Sequence, residues 1–129
     1  MDNIIQKINN KINHLNDRLN QLSYSPKNLK FYYANKISEI KLEILDLKSQ
    51  IIYQSNYNSN YEIDLHGATK YFVDNYLDDL LYYKMNHLNK VKIITGKGTL
   101  TLFNCIKKYL VNQNLIYYEK NFCFTIFLK

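Results

Sequence analysis

Ile63-Asp64-Leu65-His66-Gly67 and Val91-Lys92-Ile93-Ile94-Thr95-Gly96-Lys97-Gly98-Thr99 are the stretches that decide how this chain folds. Each is a β-favouring run that ends at a glycine and leads into apolar spacing of helical period. Working outward, residues 62–65 read as a short strand. Ala68 to about Asn86 reads as one helix, with Phe72, Tyr76, Leu80 and Tyr83 on its apolar face, widened by Val73, Leu77 and Leu81. Residues 91–94 form a second strand. Thr99 to about Asn112 forms a second helix that buries Leu102, Phe103, Ile106, Tyr109 and Leu110. Residues 115–119 and 122–128 close the chain as a strand pair joined at Lys120-Asn121. The order β-α-β-α-β-β implies an α/β (α+β two-layer) fold, helices packed on a mostly parallel sheet with an antiparallel addition.

Upstream, Ile5, Ile8, Ile12, Leu15, Leu19 and Leu22 recur at steps of three and four, so they share one face of a helix. Ser25 suits the cap of the next helix and Pro26 its first position, where a missing N–H costs nothing. A second stripe follows at Leu29, Tyr33, Ile37, Ile40, Ile44, Leu47 and Ile51. The short turn between them predicts an antiparallel hairpin over residues 1–55, with narrow, coiled-coil-like seams. Such a hairpin buries little alone, so it should form a homodimer or lie against the remainder of the chain. The polar run from Gln54 to Asn60 reads as turn-prone, and residues 56–60 are expected to link the hairpin to a domain over 61–129.

The 129 residues carry a net charge of +6, which favours a polyanionic partner such as nucleic acid. The excess divides evenly: residues 1–60 hold 8 basic and 5 acidic groups, residues 61–129 hold 9 and 6, so no basic tail stands out. Cys105 and Cys123 have no disulfide framework or metal-ligand spacing around them and read as small apolar fillers. No apolar run suits a signal peptide or a membrane span, which points to an intracellular protein with no membrane partner.

The two glycine-containing turns follow equivalent strands. In sheets of this kind ligands gather at the carboxyl ends of parallel strands, and helix N-termini there suit phosphate. Glycine lets backbone approach an anion closely. Gly67, Thr95, Gly96, Lys97, Gly98 and Thr99 are therefore the candidate phosphate-binding residues. His66 can move a proton near neutral pH. Asp64 points to the same side of its strand and could orient the imidazole or polarise a hydroxyl. Asp64 and His66 are the candidate catalytic pair. A divalent metal such as magnesium is open through Asp64, but no multi-carboxylate set is visible and metal-independent chemistry is expected. Each piece also has a plain reading, as a structural DxH, a tight turn, a helix cap or a solvated lysine. Their pairing is what points to a site. The GKGT string lacks the earlier glycine of GxxxxGK[ST], which rejects a P-loop.

These paired motifs resemble the Smr (small MutS-related) domain, whose signatures are a (L/I)DLHG motif and a later IIHGKG-type motif separated by a helix. The resemblance covers residues from about Tyr61 to the C-terminus. It implies a fold similar to the C-terminal domain of translation initiation factor 3, and a protein that binds DNA or RNA and nicks or cleaves its phosphodiesters. Asp64 and His66 match the family's Asp and His, and Gly96, Lys97 and Gly98 match its GxG. The family's second His is Thr95 here, which keeps a hydroxyl that could donate to phosphate but cannot titrate. The alternatives are a catalytically inactive nucleic-acid-binding module and a coiled-coil adaptor or oligomerisation protein.

Other residues are set aside. Asp74, Asp78 and Asp79 fall on a solvated helix face. His14 lies at the surface or seam, and His87 near a helix C-terminus that suits partial positive charge. Tyr71 or the Tyr117-Tyr118 pair could stack on unpaired bases, and Lys107 and Lys108 could extend a phosphate track.

Overall fold

The computed structural model describes residues 2–23, 33–57, 61–96 and 100–127. The expected cap at Ser25 and Pro26 lies outside them, as do Lys97, Gly98 and Thr99. The elements are α1 (Asp2–Ser23), α2 (Ala34–Tyr57), β1 (Glu62–Asp64), α3 (Lys70–Asn75), α4 (Leu77–Met85), β2 (Lys90–Ile94), α5 (Leu100–Asn112), β3 (Ile116–Lys120) and β4 (Cys123–Phe127). The chain forms two compact units, Met1–Ile51 and Ile52–Lys129. No helix among the described residues is long and apolar enough to cross a membrane.

In the first unit the two stripes bury each other. Ile8 and Ile12 of α1 form one core with Ile40, Ile44 and Leu47 of α2, flanked by Leu15, Leu19, Leu22 and Ile51. The narrow seam follows from the sparse apolar spacing, with Asn, Lys and Gln left on the exposed faces.

The second unit is two-layered. Its mixed sheet runs in the order β1-β2-β4-β3. β1 and β2 are parallel, while β4 is antiparallel to both β2 and β3. Three strands therefore share a direction, as the sequence implies. The opposed strand is inserted between β2 and β3 rather than added at the edge, because the tight β3–β4 hairpin brings β4 back beside β2. Period-two alternation sends Ile63, Val91, Ile93, Phe124 and Ile126 to one face, where they meet Phe72, Val73, Leu77, Leu80, Leu81, Ile106 and Leu110 from the helices. Fully burying each such side chain contributes about 1.5–3 kcal/mol, so this layer is what fixes the strand ends where the glycine-containing turns emerge.

Two expectations change. The single helix from Ala68 to Asn86 is two, α3 and α4, parted at Tyr76, whose φ of −127° leaves the helical range. Its ring stacks on Phe72 and tilts against Tyr53 of α2, so aromatic packing accompanies the bend. The expected linker begins with two helical residues, since α2 continues through Asn56 and Tyr57. The reason lies in tertiary contacts. Tyr57 stacks on Tyr83 with ring centroids 4.3 Å apart, and the side chain of Asn56, only 5% exposed, bonds to β1.

Candidate functional site

β1 is the outer strand of the sheet, and its free edge is occupied at Asp64 by one side chain. Asn56 Oδ1 accepts from the Asp64 backbone N–H at 2.8 Å, and Asn56 Nδ2 donates to the Asp64 carbonyl at 3.0 Å and to the Ile52 carbonyl at 2.8 Å. The amide thus imitates a neighbouring strand and pins the end of β1. One residue further, Leu65 N–H donates to the Ile94 carbonyl at 2.8 Å, which ties the exit of β1 to β2.

The chain then reverses. Ala68 N–H donates to the Leu65 carbonyl at 2.9 Å, with Gly67 at φ +81°. That is the pattern of a type II turn, whose third residue requires positive φ and so favours glycine. His66 occupies the corner and is exposed. Asp64 Oδ1 accepts from the backbone N–H of His66 at 3.0 Å. The carboxylate therefore acts on the loop's backbone, where the sequence suggested that it would orient the imidazole directly.

The second turn meets the first. Gly96 has φ +82°, and a Cβ placed on it would stand 2.9 Å from His66 Nδ1, 3.8 Å from Cε1 and 3.9 Å from Cγ. The imidazole edge thus occupies space that only glycine leaves open. Residues far apart in the chain form one notch, with an exposed, titratable ring at its rim. Lys97, Gly98 and Thr99, which follow Gly96 in the sequence, are outside the described residues.

Thr95 departs from the expectation that its hydroxyl reaches a phosphate. It is 5% exposed, and its Oγ1 donates to the Phe122 carbonyl at 2.7 Å while its N–H donates to the same oxygen at 3.2 Å. The physical reason is the β3–β4 turn. Asn121 and Phe122 both have positive φ (52° and 61°), as a type I′ turn demands, and that geometry aims the Phe122 carbonyl at the end of β2. Thr95 is a latch between β2 and that hairpin.

The remaining candidates sort by packing. Asp74 pairs with Lys70 at 3.0 Å, and the Asp78 carboxylate accepts a hydrogen bond from the Tyr109 hydroxyl. Burial, and then Asp78, hold the Tyr109 hydroxyl well above its usual pKa. Lys107 lies 3.6 Å from Glu119, an exposed pairing of small energetic weight. Tyr117 turns inward onto Phe124, whereas Tyr118 turns outward. Cys105 and Cys123 are free thiols. Among the described residues no group of three or more His, Cys, Asp and Glu is placed to hold a metal ion. Sequence reasoning missed Asn56. Its signal was the continued helical spacing of Ile52, Tyr53 and Tyr57 around it.

Among solved structures, the chain is similar to one titled "Solution structure of the B3BP Smr domain", at 21% identity and a TM-score of 0.49, over 68% of this chain and 91% of that one. No curated protein matches it. The family model of the Smr domain matches residues 63–124, from the first strand to the last. That span contains both turns of the notch: residues 63–124 of this chain are a Smr domain, a nucleic-acid-binding module.

Proposed function

We propose that this Smr domain cleaves or nicks nucleic-acid phosphodiesters at the notch where His66 meets Gly96. The observation that carries the proposal is the exposed imidazole held against a left-handed glycine of the second turn. In this reading His66 takes the proton from the attacking oxygen, a ribose 2′-hydroxyl or a water, or returns one to the leaving oxygen. Asp64 is a positioning residue that holds the His66 backbone. Gly67 supplies the positive φ of the first turn, Gly96 leaves room for the imidazole, and Lys97, Gly98 and Thr99 are the proposed phosphate contacts. Free thiols at Cys105 and Cys123 fit a reducing, intracellular setting.

The test is incubation of the purified chain with structured RNA, nicked duplex and supercoiled plasmid, with and without magnesium, beside His66→Ala and Asp64→Ala. Products from wild type and a large loss in His66→Ala are expected. Equal cutting by wild type and both variants refutes the proposal.

A second reading is binding without cleavage. Thr95 favours it, because its side chain is committed to Phe122 and supplies no titratable group where the family motif has histidine. It predicts salt-sensitive binding that weakens in Lys97→Ala, with no products. Self-association through the N-terminal hairpin is a separate expectation, and the sedimentation mass of the full chain decides it.

A further inference from the structure

The sheet has a second face, opposite the helices, and its composition is specific. Strand register lays it out in rows. Lys90, Phe127 and Ile116 stand side by side, then Glu62, Lys92, Thr125 and Tyr118, then Asp64, Ile94, Cys123 and Lys120. Within it lies a cavity of about 430 Å³ lined by Tyr61, Lys90, Lys92, Tyr118, Lys120 and Thr125, among others. Its charged lining is three lysines, and the carboxylates of this face, Glu62 and Asp64, are confined to the β1 edge. Tyr118 is 58% exposed and Tyr61 44%. Lys90 Nζ stands 5.9 Å from the centre of the Tyr61 ring, which places a cation over that aromatic surface.

We propose that this face binds single-stranded nucleic acid, and that a single strand is the substrate class presented to the His66 notch; the second clause rests on the cleavage reading above. Charge complementarity selects a polyanion. Aromatic rings lying open on a sheet select unpaired bases, which offer a π-face for stacking, whereas a duplex keeps its base faces inside. Continuity selects the route. The row that ends on Asp64 is the last before β1 and β2 pass into the turns of His66 and Gly96, so a strand crossing the lysines arrives at the notch without leaving the surface.

The experiment is fluorescence anisotropy of labelled oligo(dT) and oligo(U), with a hairpin duplex as competitor, over a salt series, on the full chain. Tyr118→Ala is expected to weaken single-strand binding roughly fivefold to a hundredfold, the range for losing one stacked base. Tyr118→Phe keeps the ring and should restore it. Lys92→Ala and Lys120→Ala should each lower the salt slope by about one unit. The proposal is overturned if folded Tyr118→Ala binds single strands as tightly as wild type, or if the duplex competes as well as an unlabelled single strand. Cleavage is scored in the same samples. Loss of binding in Tyr118→Ala, with a wild type that cuts nothing, removes the notch and keeps the face. Cutting by wild type that Tyr118→Ala leaves unchanged removes the face and keeps the notch.

Discussion

Replacing Gly96 with alanine perturbs the notch in two separable ways. The first is conformational: at φ +82° an L side chain costs about 1–2 kcal/mol, because its Cβ crowds the following carbonyl. For a unit the size of Ile52–Lys129 that corresponds to a fall in Tm of roughly 4–16 °C. The second is steric. The new Cβ would meet His66 Nδ1 at 2.9 Å, so the ring has to retreat by at least about 0.5 Å to reach ordinary contact. A misplacement approaching 1 Å costs about 10²-fold in a positioned reaction, so a loss of roughly 10–100-fold in kcat/KM is expected. Gly67→Ala is the control. It carries the same conformational cost at φ +81°, but its Cβ would have nothing within 4 Å. Calorimetry should show similar destabilisation in both variants. The NMR resonances of the His66 ring, and cleavage under single-turnover conditions, should respond far more to Gly96→Ala. If the two variants shift the imidazole and slow cleavage equally, the contact between the turns has no role in the chemistry and the reasoning fails.

Three further outcomes concern Thr95, Asn56 and Tyr109. Thr95→Val removes the hydroxyl bond to Phe122 and should cost about 1 kcal/mol in thermal unfolding with nucleic-acid affinity unchanged; lost affinity at unchanged Tm would instead put the hydroxyl on phosphate. Asn56→Ala strips partners from the Asp64 N–H and C=O and should cost about 1–3 kcal/mol, with faster hydrogen exchange at the Asp64 amide as the direct check. Tyr109 holds its proton more tightly folded than unfolded, so its contribution is complete below its unfolded pKa of about 10 and is lost as pH rises above it. Melts above about pH 10 should therefore fall more steeply for wild type than for Tyr109→Phe, and parallel curves would contradict the assignment.

What could be read from sequence was local. The strands on either side of the turns, the glycines at 67 and 96, and the approach of one turn to the other all follow from motif and period, because each depends on residues near one another in the chain or on parallel pairing of two similar units. What could not be read depended on distant partners. Tyr76 interrupts a helix whose apolar spacing continues unbroken across it, so periodicity is blind to the bend. Gln54 to Tyr57 looks turn-prone by composition, yet Tyr53 and Tyr57 find aromatic partners on α3–α4 and keep the helix going. Thr95 looks like a donor for ligand until the carbonyl of Phe122, 27 positions away, is seen to accept its proton. The Tyr117-Tyr118 pair is a single base-stacking candidate in sequence, and strand alternation divides it into one core ring and one open ring.

The amide of Asn56 has a consequence for where this domain can be cut. A three-residue border strand with bare peptide groups invites another chain to add to it, and Asn56 occupies those groups at its final residue. A fragment opening at Tyr61, as the motif boundaries alone would suggest, discards that plug together with the rings of Tyr53 and Tyr57. It would expose a sticky margin beside His66, whereas the compact unit that keeps Asn56 with β1 begins at Ile52.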